Sequence, residues 1–326
     1  MIFRLFPPPR HFAPVVLVWW GTWPRGATLG DRLAVDNLSE ALTAAGLEHT
    51  VLSHPSHAGP GHCATRHPFG LAPRIRTLVF VCGPLVGTKR VKRLLRLCRG
   101  SRKLAAGVSL LESQQAVNSQ LAAVVARDGV PGASFDLAVH SCRDPRQRPR
   151  PASLADARVG ICLRGPQKDY GASRDHSGRA AELIHAAVGA TGPQVVLIDT
   201  VLTPSNPPEA IQQRIASVDL LLTTRLHGSL LALAEAVPVI AIDQIAAGGK
   251  LTEVLGRTGW PHLFQAEACT PEQLRELITE LLEHPPLQTL ASTQARLLEL
   301  AGQALEASVA MVRAAVTADP PGPSGP

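Results

Sequence analysis

The chain has 326 residues, of which 45% are hydrophobic and 18% charged, so it can bury a sizeable core without disulfides or metals. Its aromatic content of 4% argues against the stacking platforms of single-strand nucleic-acid binders. Residues 1–150 hold 20 Lys/Arg and 8 Asp/Glu, whereas residues 151–326 hold 12 and 18, which indicates two domains, the basic one with an anionic partner.

The cysteines and the apolar runs predict the compartment. None of the six cysteines has CxxC spacing, so we expect buried thiols in a reducing environment and no zinc ribbon. No apolar run reaches the ~18 residues of a membrane helix. The short apolar segment Ala13–Trp20 is predicted to be a first strand rather than a signal peptide. These patterns predict a cytoplasmic protein.

The first half of the chain alternates short apolar runs with helical patterns. Strands are predicted at Val15–Trp19, Glu48–Ser53, Thr77–Cys82, Lys103–Val108 and Asp136–Ser141. Helices are predicted from about Asp31, at Thr88–Arg99 and at Ser113–Ala126. Residues 54–74 form a loop rich in proline, glycine and histidine.

The second half repeats the alternation. Strands are predicted at Arg158–Leu163, Gln194–Asp199, Val218–Leu222 and Val239–Ile242. Helices are predicted at Ser177–Val188, Pro208–Ala216, Leu226–Glu235, Leu251–Arg257, from Thr270 and over 287–316. Thr270, Pro271 and Gln273 have the spacing of a capping box with a first-turn proline.

The Pro/Arg-rich stretch 144–156 lacks periodicity and marks a domain boundary. We therefore predict a basic N-terminal domain over 1–150, a second domain over 151–316 and a disordered tail over 317–326. Repeated β-α units favour parallel sheets covered by helices, with a cleft between the two domains. Because ligands of such sheets bind beyond the carboxyl ends of the strands, the loops after the strands are the candidate site.

Arg225 and His227 follow a predicted strand and precede a helix. A guanidinium beside free helix-terminal amides suits a carboxylate or phosphate, and histidine titrates near neutral pH. A structural salt bridge for Arg225 and a buried or capping histidine are the alternatives. The residue pattern alone leaves both possibilities open.

The segment Asp219–Asp243, with the run TTRLHG followed by an apolar helix and strand, resembles the C-terminal motif of the polysaccharide pyruvyl transferase family. Lys250 stands at the family's lysine position, and Arg164 is similar to its strand-terminal arginine. Gly30-Asp31 is similar to its N-terminal Gly-Asp motif, although Leu29 replaces the preceding asparagine.

The resemblance implies a GT-B-like fold of two Rossmann-like domains, the first on the acceptor side and the second on the donor side. It implies transfer of the enolpyruvyl group of phosphoenolpyruvate to sugar hydroxyls of a glycan or glycan precursor, with a pyruvate ketal and phosphate as products. Phosphoenolpyruvate would be a co-substrate, and no cofactor or metal would be needed.

The resemblance also implies residue roles. Arg225 and Arg164 would clamp the donor, and His227 would transfer a proton or contact the phosphate. Asp31 would hold acceptor hydroxyls, act as base or simply cap its helix. Lys250 would reach the donor phosphate, the alternative being an exposed lysine. Gly228 and Gly30 complete the expected substrate-binding set.

Two features have weaker interpretations. The loop with His54, His57, His62 and His67 carries metal-type residues at no standard zinc spacing, so an acceptor-side loop is favoured. The run 89–103 has eight Lys/Arg and no acidic residue, which predicts a solvated helix face or a peripheral contact with the inner membrane surface and its lipid-linked glycans. No base-reading motif accompanies it, so we expect no nucleic-acid partner.

Two other functions fit the same pattern. A GT-B glycosyltransferase would use Arg225 and Lys250 to bind the diphosphate of a nucleotide sugar, although the E-x7-E donor pattern is missing from this segment. A non-catalytic relative would bind a glycan or a lipid phosphate without turnover.

Overall fold

The computed structural model describes residues 13–167, 171–189 and 192–318. The predicted disordered tail therefore lies outside the described residues, apart from Thr317, where the last helix ends, and Ala318. Within the described residues, no helix is long and apolar enough to cross a membrane.

The described strands form two all-parallel sheets. The first has the order β3-β2-β1-β4-β5-β6 and the second the order β11-β10-β9-β7-β8. The strands of the first sheet are β1 Val15–Val18, β2 His49–Ser53, β3 Cys63–Ala64, β4 Thr77–Pro84, β5 Arg102–Ser109 and β6 Ala123–Asp128. Those of the second are β7 Arg158–Cys162, β8 Gln194–Leu197, β9 Leu220–Thr223, β10 Val239–Asp243 and β11 Leu263–Gln265.

Helices cover both faces of each sheet, as the near-continuous apolar strands require. They are α1 Leu29–Ala44, α2 Lys89–Leu97, α3 Gln115–Asn118, α4 Ser177–Val188, α5 Pro208–Ala216, α6 Leu226–Ala234, α7 Lys250–Leu255, α8 Pro271–Glu283 and α9 Leu287–Thr317. One apolar core, which includes Leu17, Leu38 and Leu221, runs through both halves, so the two sheets share packing as well as a cleft. The predicted two-domain parallel α/β architecture is confirmed.

The cleft lies where the strand order reverses in both sheets. In the first sheet the chain leaves β1 toward one edge and returns beside it as β4, and in the second it leaves β7 and returns as β9. The carboxyl ends of such neighbouring strands leave a crevice, because their connections run to opposite sides. Two backbone hydrogen bonds hold the crevice together, from Leu29 N to Thr200 O at 2.8 Å and from Leu202 N to Ala27 O at 2.9 Å.

Helix α9 joins the two halves. At ~1.5 Å per residue its 31 residues are long enough to pass from the second sheet to the first. Gln294 donates from Nε2 to Leu233 O at 2.8 Å in the second half, and Arg102 of β5 donates to Ala315 O near the helix end. The long helix was predicted within the second domain, but its last turns pack against the first.

Two predictions for the segment after β5 are wrong. The expected helix Ser113–Ala126 is only α3, and β6 follows it, because the β-branched Val124 and Val125 extend the sheet beside β5. The expected strand Asp136–Ser141 is buried but irregular. Its backbone groups form hydrogen bonds with side chains instead of with a neighbouring strand. Asn37 Nδ2 donates to Leu137 O at 2.7 Å, and Ala138 N donates to Asp136 Oδ1 at 2.9 Å.

Candidate active site between the two sheets

A cavity of about 280 Å³ occupies the crevice between the two sheets. This volume is near the lower end of the ~300–1,000 Å³ that small-molecule sites span, which suits small metabolites. Its walls are formed by Trp20, Gly26, Thr28, Asp31, Gly83, Pro84, Arg127, Arg164, Thr200, Arg225, Leu226, His227 and Lys250. Five of the predicted site residues, Asp31, Arg164, Arg225, His227 and Lys250, therefore meet at one cavity.

Two larger hollows lie elsewhere. One, of about 540 Å³, lies at the amino-terminal ends of β4 and β5 beside Thr77 and Arg102. The other, of about 590 Å³, is an open hollow at the loop after β6, beside Gly129 and Pro131. Neither contains a predicted site residue, so volume alone does not locate the site.

The second domain supplies a cationic wall. Arg164 follows β7, Arg225 follows β9, and Lys250 begins α7. Lys250 is buried, so the alternative of an exposed lysine is wrong. Asp243 at the end of β10 fixes the turn before it, since its Oδ2 accepts hydrogen bonds from Gly249 N at 2.8 Å and Thr252 Oγ1 at 2.6 Å.

Arg225 is both a structural and a cavity-lining residue. Its Nε donates to Leu163 O at 2.7 Å, Nη1 to Thr200 Oγ1 at 3.2 Å and Nη2 to Asp199 Oδ1 at 3.3 Å. These bonds use three of the five guanidinium N–H groups. The guanidinium is thus oriented in advance, and its other two N–H groups can serve an anion at the start of α6.

The first domain supplies Asp31 through the cap of α1. Thr28 is the N-cap residue, and Asp31 Oδ2 accepts hydrogen bonds from Thr28 N at 3.0 Å and from Thr28 Oγ1 at 2.8 Å. The expected capping role is therefore present, with Asp31 as the third helical residue of a capping box rather than as the cap itself. One carboxylate oxygen is committed to the cap, and the residue still lines the cavity.

His227 reaches across the crevice into a buried ionic cluster of the first domain. Its Nε2 lies 3.1 Å from Asp136 Oδ2 and 3.2 Å from Arg127 Nη1. Arg127 Nη1 donates to the same Asp136 oxygen at 2.6 Å, and its Nε also pairs with Asp128 Oδ2 at 3.0 Å. In the tautomer with a proton on Nε2, that proton is donated to Asp136 and Nδ1 is the acceptor atom.

The electrostatics of this cluster keep Asp136 ionised. Burial alone would raise the pKa of Asp136, but the neighbouring His227 and Arg127 and their hydrogen bonds hold it well below its usual range. For Arg127, burial acts in the opposite direction and by itself would lower the pKa. The negative charges of Asp136 and Asp128 more than offset this, so the pKa of Arg127 lies above its ordinary value. Burial and Asp136 raise the pKa of the Cys82 thiol, which is therefore neutral.

The same cluster contains potential metal ligands. Among the described residues, Cys82, Asp136 and His227 form the one group of three such side chains close enough to share an ion. Arg127 Nη1 already contacts all three, at 3.5 Å from Cys82 Sγ, 2.6 Å from Asp136 and 3.2 Å from His227. A guanidinium thus stands where a cation would, so the arrangement disfavours a metal.

Gly30 and Gly228 are not among the residues that line the cavity. A Cβ on Gly30 would lie 2.0 Å from His227 Cγ, and one on Gly228 would lie 2.8 Å from Thr223 Oγ1. Both glycines therefore permit close packing that places His227 and the start of α6. Their expected contact with substrate stays a prediction.

The residues missed in the sequence include Trp20, Cys82, Arg127 and Asp136. The Arg127-Asp128 pair lay in a segment predicted to be helix and loop, and Asp136 lay in a predicted strand. The sequence did contain a pattern that could have located Arg127. The charged pair Arg127-Asp128 directly follows the apolar run Val124–Ala126, and such a change is typical of the end of a strand. Recognition of β6 would have placed it at the carboxyl edge of the sheet.

The histidine-rich loop packs beside this site. His62 forms hydrogen bonds with Ser53 Oγ through Nδ1, at 2.8 Å, and with Asp36 Oδ1 through Nε2, at 2.9 Å. Both of its ring nitrogens therefore have partners within the protein. His54 N donates to Gly21 O at 2.8 Å, which ties the loop to the turn after β1. The loop thus supports the first-domain wall of the cavity.

Comparison with known proteins supports this reading of the C-terminal motif. Residues 178–244 match the family model of polysaccharide pyruvyl transferase. This segment is polysaccharide pyruvyl transferase-like. It contains Arg225, His227 and Gly228, which confirms the resemblance seen in the sequence. Curated protein sequences gave no match.

Solved structures show the fold over nearly the whole chain. A UDP-GlcNAc 2-epimerase of Methanocaldococcus jannaschii, in complex with UDP-GlcNAc and UDP, aligns with TM-score 0.56 and 9% identity over 92% of this chain and 99% of that one. S. aureus MnaA with UDP aligns with TM-score 0.55 and 12% identity over 95% of this chain and 99% of that one. The kitacinnamycin glycotransferase aligns with TM-score 0.51 at 12% identity over 94% and 99%. The predicted GT-B-like fold is confirmed.

Proposed function

We propose that this chain is a pyruvyl transferase that moves the enolpyruvyl group of phosphoenolpyruvate onto two hydroxyls of a sugar. The observation that carries the proposal is the convergence of Arg164, Arg225 and Lys250 on one small cavity. The family match over 178–244, which spans Arg225 and His227, supports the same chemistry.

The cationic wall suits a donor with two anionic groups. Phosphoenolpyruvate carries a phosphate and a carboxylate, and guanidinium groups bind both in a planar, two-pronged geometry. The buried Lys250 adds a point charge that strengthens as the site loses water. These side chains, rather than a metal or resident cofactor, would neutralise the phosphate as it leaves.

The reaction removes two hydroxyl protons, of which one is added to the methylene carbon and the other leaves with the phosphate. A sugar hydroxyl attacks the central carbon of the donor, gives up its proton, and the methylene carbon gains a proton to become a methyl group. Phosphate then departs, and a second hydroxyl adds to the same carbon, losing its proton as the ketal closes. A positioned acid–base group contributes about 10²–10⁴-fold to such steps.

His227 is the residue we assign to proton transfer. Asp136 fixes Nε2 at 3.1 Å, so Nδ1 is the atom that gives or takes the proton. Asp31, on the opposite domain, is placed to accept hydrogen bonds from the acceptor hydroxyls. The donor then lies on the second domain and the acceptor on the first.

Calorimetric titration with phosphoenolpyruvate and, separately, with UDP-sugars tests this proposal. We expect a saturable heat with phosphoenolpyruvate, and phosphate release when a sugar acceptor is added. Binding of a UDP-sugar without phosphoenolpyruvate binding would contradict the proposal and favour a glycosyltransferase. A lipid-phosphate affinity that survives Arg225→Ala, without turnover of any donor, would favour a non-catalytic binding protein.

We propose in addition that helix α2 contacts an anionic membrane surface. Its apolar residues Val91, Leu94 and Leu95 are buried in the core, so charge rather than insertion would drive the contact. The exposed cations of α2 and the turn after it are Lys89, Arg90, Lys92, Arg93, Arg96 and Arg99. Attraction of each to an anionic leaflet is worth ~1 kcal/mol and is screened by salt.

We expect the protein to co-sediment with phosphatidylglycerol-containing vesicles at low salt. The double substitution Lys92→Glu and Arg96→Glu should weaken this by at least about tenfold. A matched control reverses two exposed arginines of α9, Arg296→Glu and Arg313→Glu, and should bind as the wild type does. Equal binding to neutral phosphatidylcholine vesicles would contradict the proposal.

A further inference from the structure

The cavity has two chemically different walls. Arg164, Arg225 and Lys250 stand on the second domain, whereas the first domain presents the Trp20 indole, Pro84 and the Asp31 carboxylate. The face of an indole carries partial negative charge, so it prefers neutral or positive partners to anions. An anionic donor is therefore drawn to the second domain and repelled by the Asp31 carboxylate of the first.

Trp20 is held in place by its neighbours. It lies in the single 3₁₀ turn Trp20–Thr22 after β1, and its ring rests edge-on against Phe80 at 5.7 Å and beside Trp23 at 5.7 Å between centroids. The turn is fixed by Thr22 Oγ1, which donates to Leu52 O at 2.8 Å. Such a ring is an ordered platform, so a ligand that stacks on it orders few additional groups.

Gly83 lets the indole lie against the end of β4. A Cβ on Gly83 would stand 2.5 Å from Trp20 Nε1 and 3.4 Å from Asp31 Oδ1. Gly83 also has φ +70°, a left-handed conformation that favours glycine. The Trp20 indole and the Asp31 carboxylate therefore both lie against Gly83, so a flat apolar ring and a hydrogen-bond acceptor stand side by side.

We propose that Trp20 is the platform on which an uncharged pyranose ring stacks, with a hydroxyl of that ring donating to Asp31. One face of a pyranose presents C–H groups that suit the negative face of an indole, while its rim presents hydroxyls. This assigns a sugar subsite to the first-domain wall and rests on the proposed function for its role as acceptor site.

Tryptophan fluorescence isolates this residue. The chain has four tryptophans, and Trp19, Trp23 and Trp260 are each at most 4% exposed, whereas Trp20 is partly exposed. Quenching by acrylamide therefore reports mainly on Trp20. Trp20→Phe removes this signal, and Trp260→Phe is the matched control, because it deletes a buried indole of the second domain.

The probes are the methyl glycosides of glucose, galactose and mannose, with glycerol as a polyol that lacks a ring face. We expect at least one glycoside to lower the quenching constant by about twofold in the wild type and in Trp260→Phe, and none to do so in Trp20→Phe. Glycerol should have no such effect.

Calorimetry with phosphoenolpyruvate separates this inference from the proposed function. Trp20→Phe should change the phosphoenolpyruvate affinity by less than about twofold. No shielding by any of the three glycosides, equal shielding in Trp20→Phe, or a phosphoenolpyruvate affinity lowered tenfold by Trp20→Phe would overturn the sugar subsite. If glycosides shield Trp20 but the wild type does not bind phosphoenolpyruvate, the subsite stands and the donor assignment fails.

Discussion

Replacing Arg225 with alanine should weaken phosphoenolpyruvate binding by about 100-fold, or about 3 kcal/mol, the cost of removing one partner of a desolvated charge pair. The guanidinium is oriented by Leu163 O and Thr200 Oγ1 and lines the cavity at the start of α6. Calorimetry of the purified variant measures the affinity directly.

The variant Arg225→Lys separates charge from geometry. Lysine keeps the positive charge but cannot form two parallel hydrogen bonds, so we expect a loss of about tenfold. Arg296→Ala removes an exposed arginine of α9 that pairs with Glu299, and should leave the affinity unchanged. If Arg225→Ala bound phosphoenolpyruvate as tightly as the wild type does, the prediction would be wrong. Arg225 would then have only the structural role that its three contacts within the protein allow.

The substitution Asp136→Asn should lower the free energy of unfolding by about 3 kcal/mol at neutral pH, because it leaves the buried Arg127 without its 2.6 Å partner. Asp128 still pairs with Arg127 at 3.0 Å, which places the loss at the low end of the range for broken buried ion pairs. The midpoint of urea unfolding measures the change. Glu40→Gln, on the exposed face of α1, should stay within about 0.5 kcal/mol of wild type.

The difference between wild type and Asp136→Asn should depend on pH. The pKa of Asp136 is lowered in the folded protein, so its contribution to stability is complete above the unfolded-state pKa of about 3.9 and is lost as pH falls toward the folded value. The two unfolding midpoints should therefore converge below about pH 4. A constant difference across that range would contradict the assignment of the stabilisation to the Asp136 charge.

The same variant tests the positioning of His227. The amide oxygen of asparagine accepts a weaker hydrogen bond from Nε2 than a carboxylate does, so we expect turnover to fall while phosphoenolpyruvate affinity changes little.

Much of the fold was readable from local patterns. Apolar runs bounded by glycine and proline predicted β1, β4 and β7, and the spacing of Thr270, Pro271 and Gln273 predicted the start of α8. Helices α4 and α5 agree with their predicted bounds at both ends. These elements were accessible because caps and periodicity act within a few residues.

The segment from α3 to Asp136 was not readable in this way. Alanine and valine at mixed spacing fit a helix as well as a strand, and only pairing with β5 selected the strand for Ala123–Asp128. Buried apolar residues around Asp136 suggested a strand, although its polar groups bond to α1 and to its own turn. Misassignment there hid Arg127 and Asp136 from the predicted site.

Local pattern was enough to place Arg164, Arg225 and His227 within four residues of the ends of β7 and β9, and so at the carboxyl edge of the second sheet. Only the tertiary structure decided what faces them across the crevice. Trp20, Arg127 and Asp136 come from the first domain, and their place at the cavity and cluster around His227 depends on how the two domains and α9 pack together. Contacts between residues about 100 apart, such as Arg127 with His227, arise from packing of whole sheets and leave no local pattern in the chain.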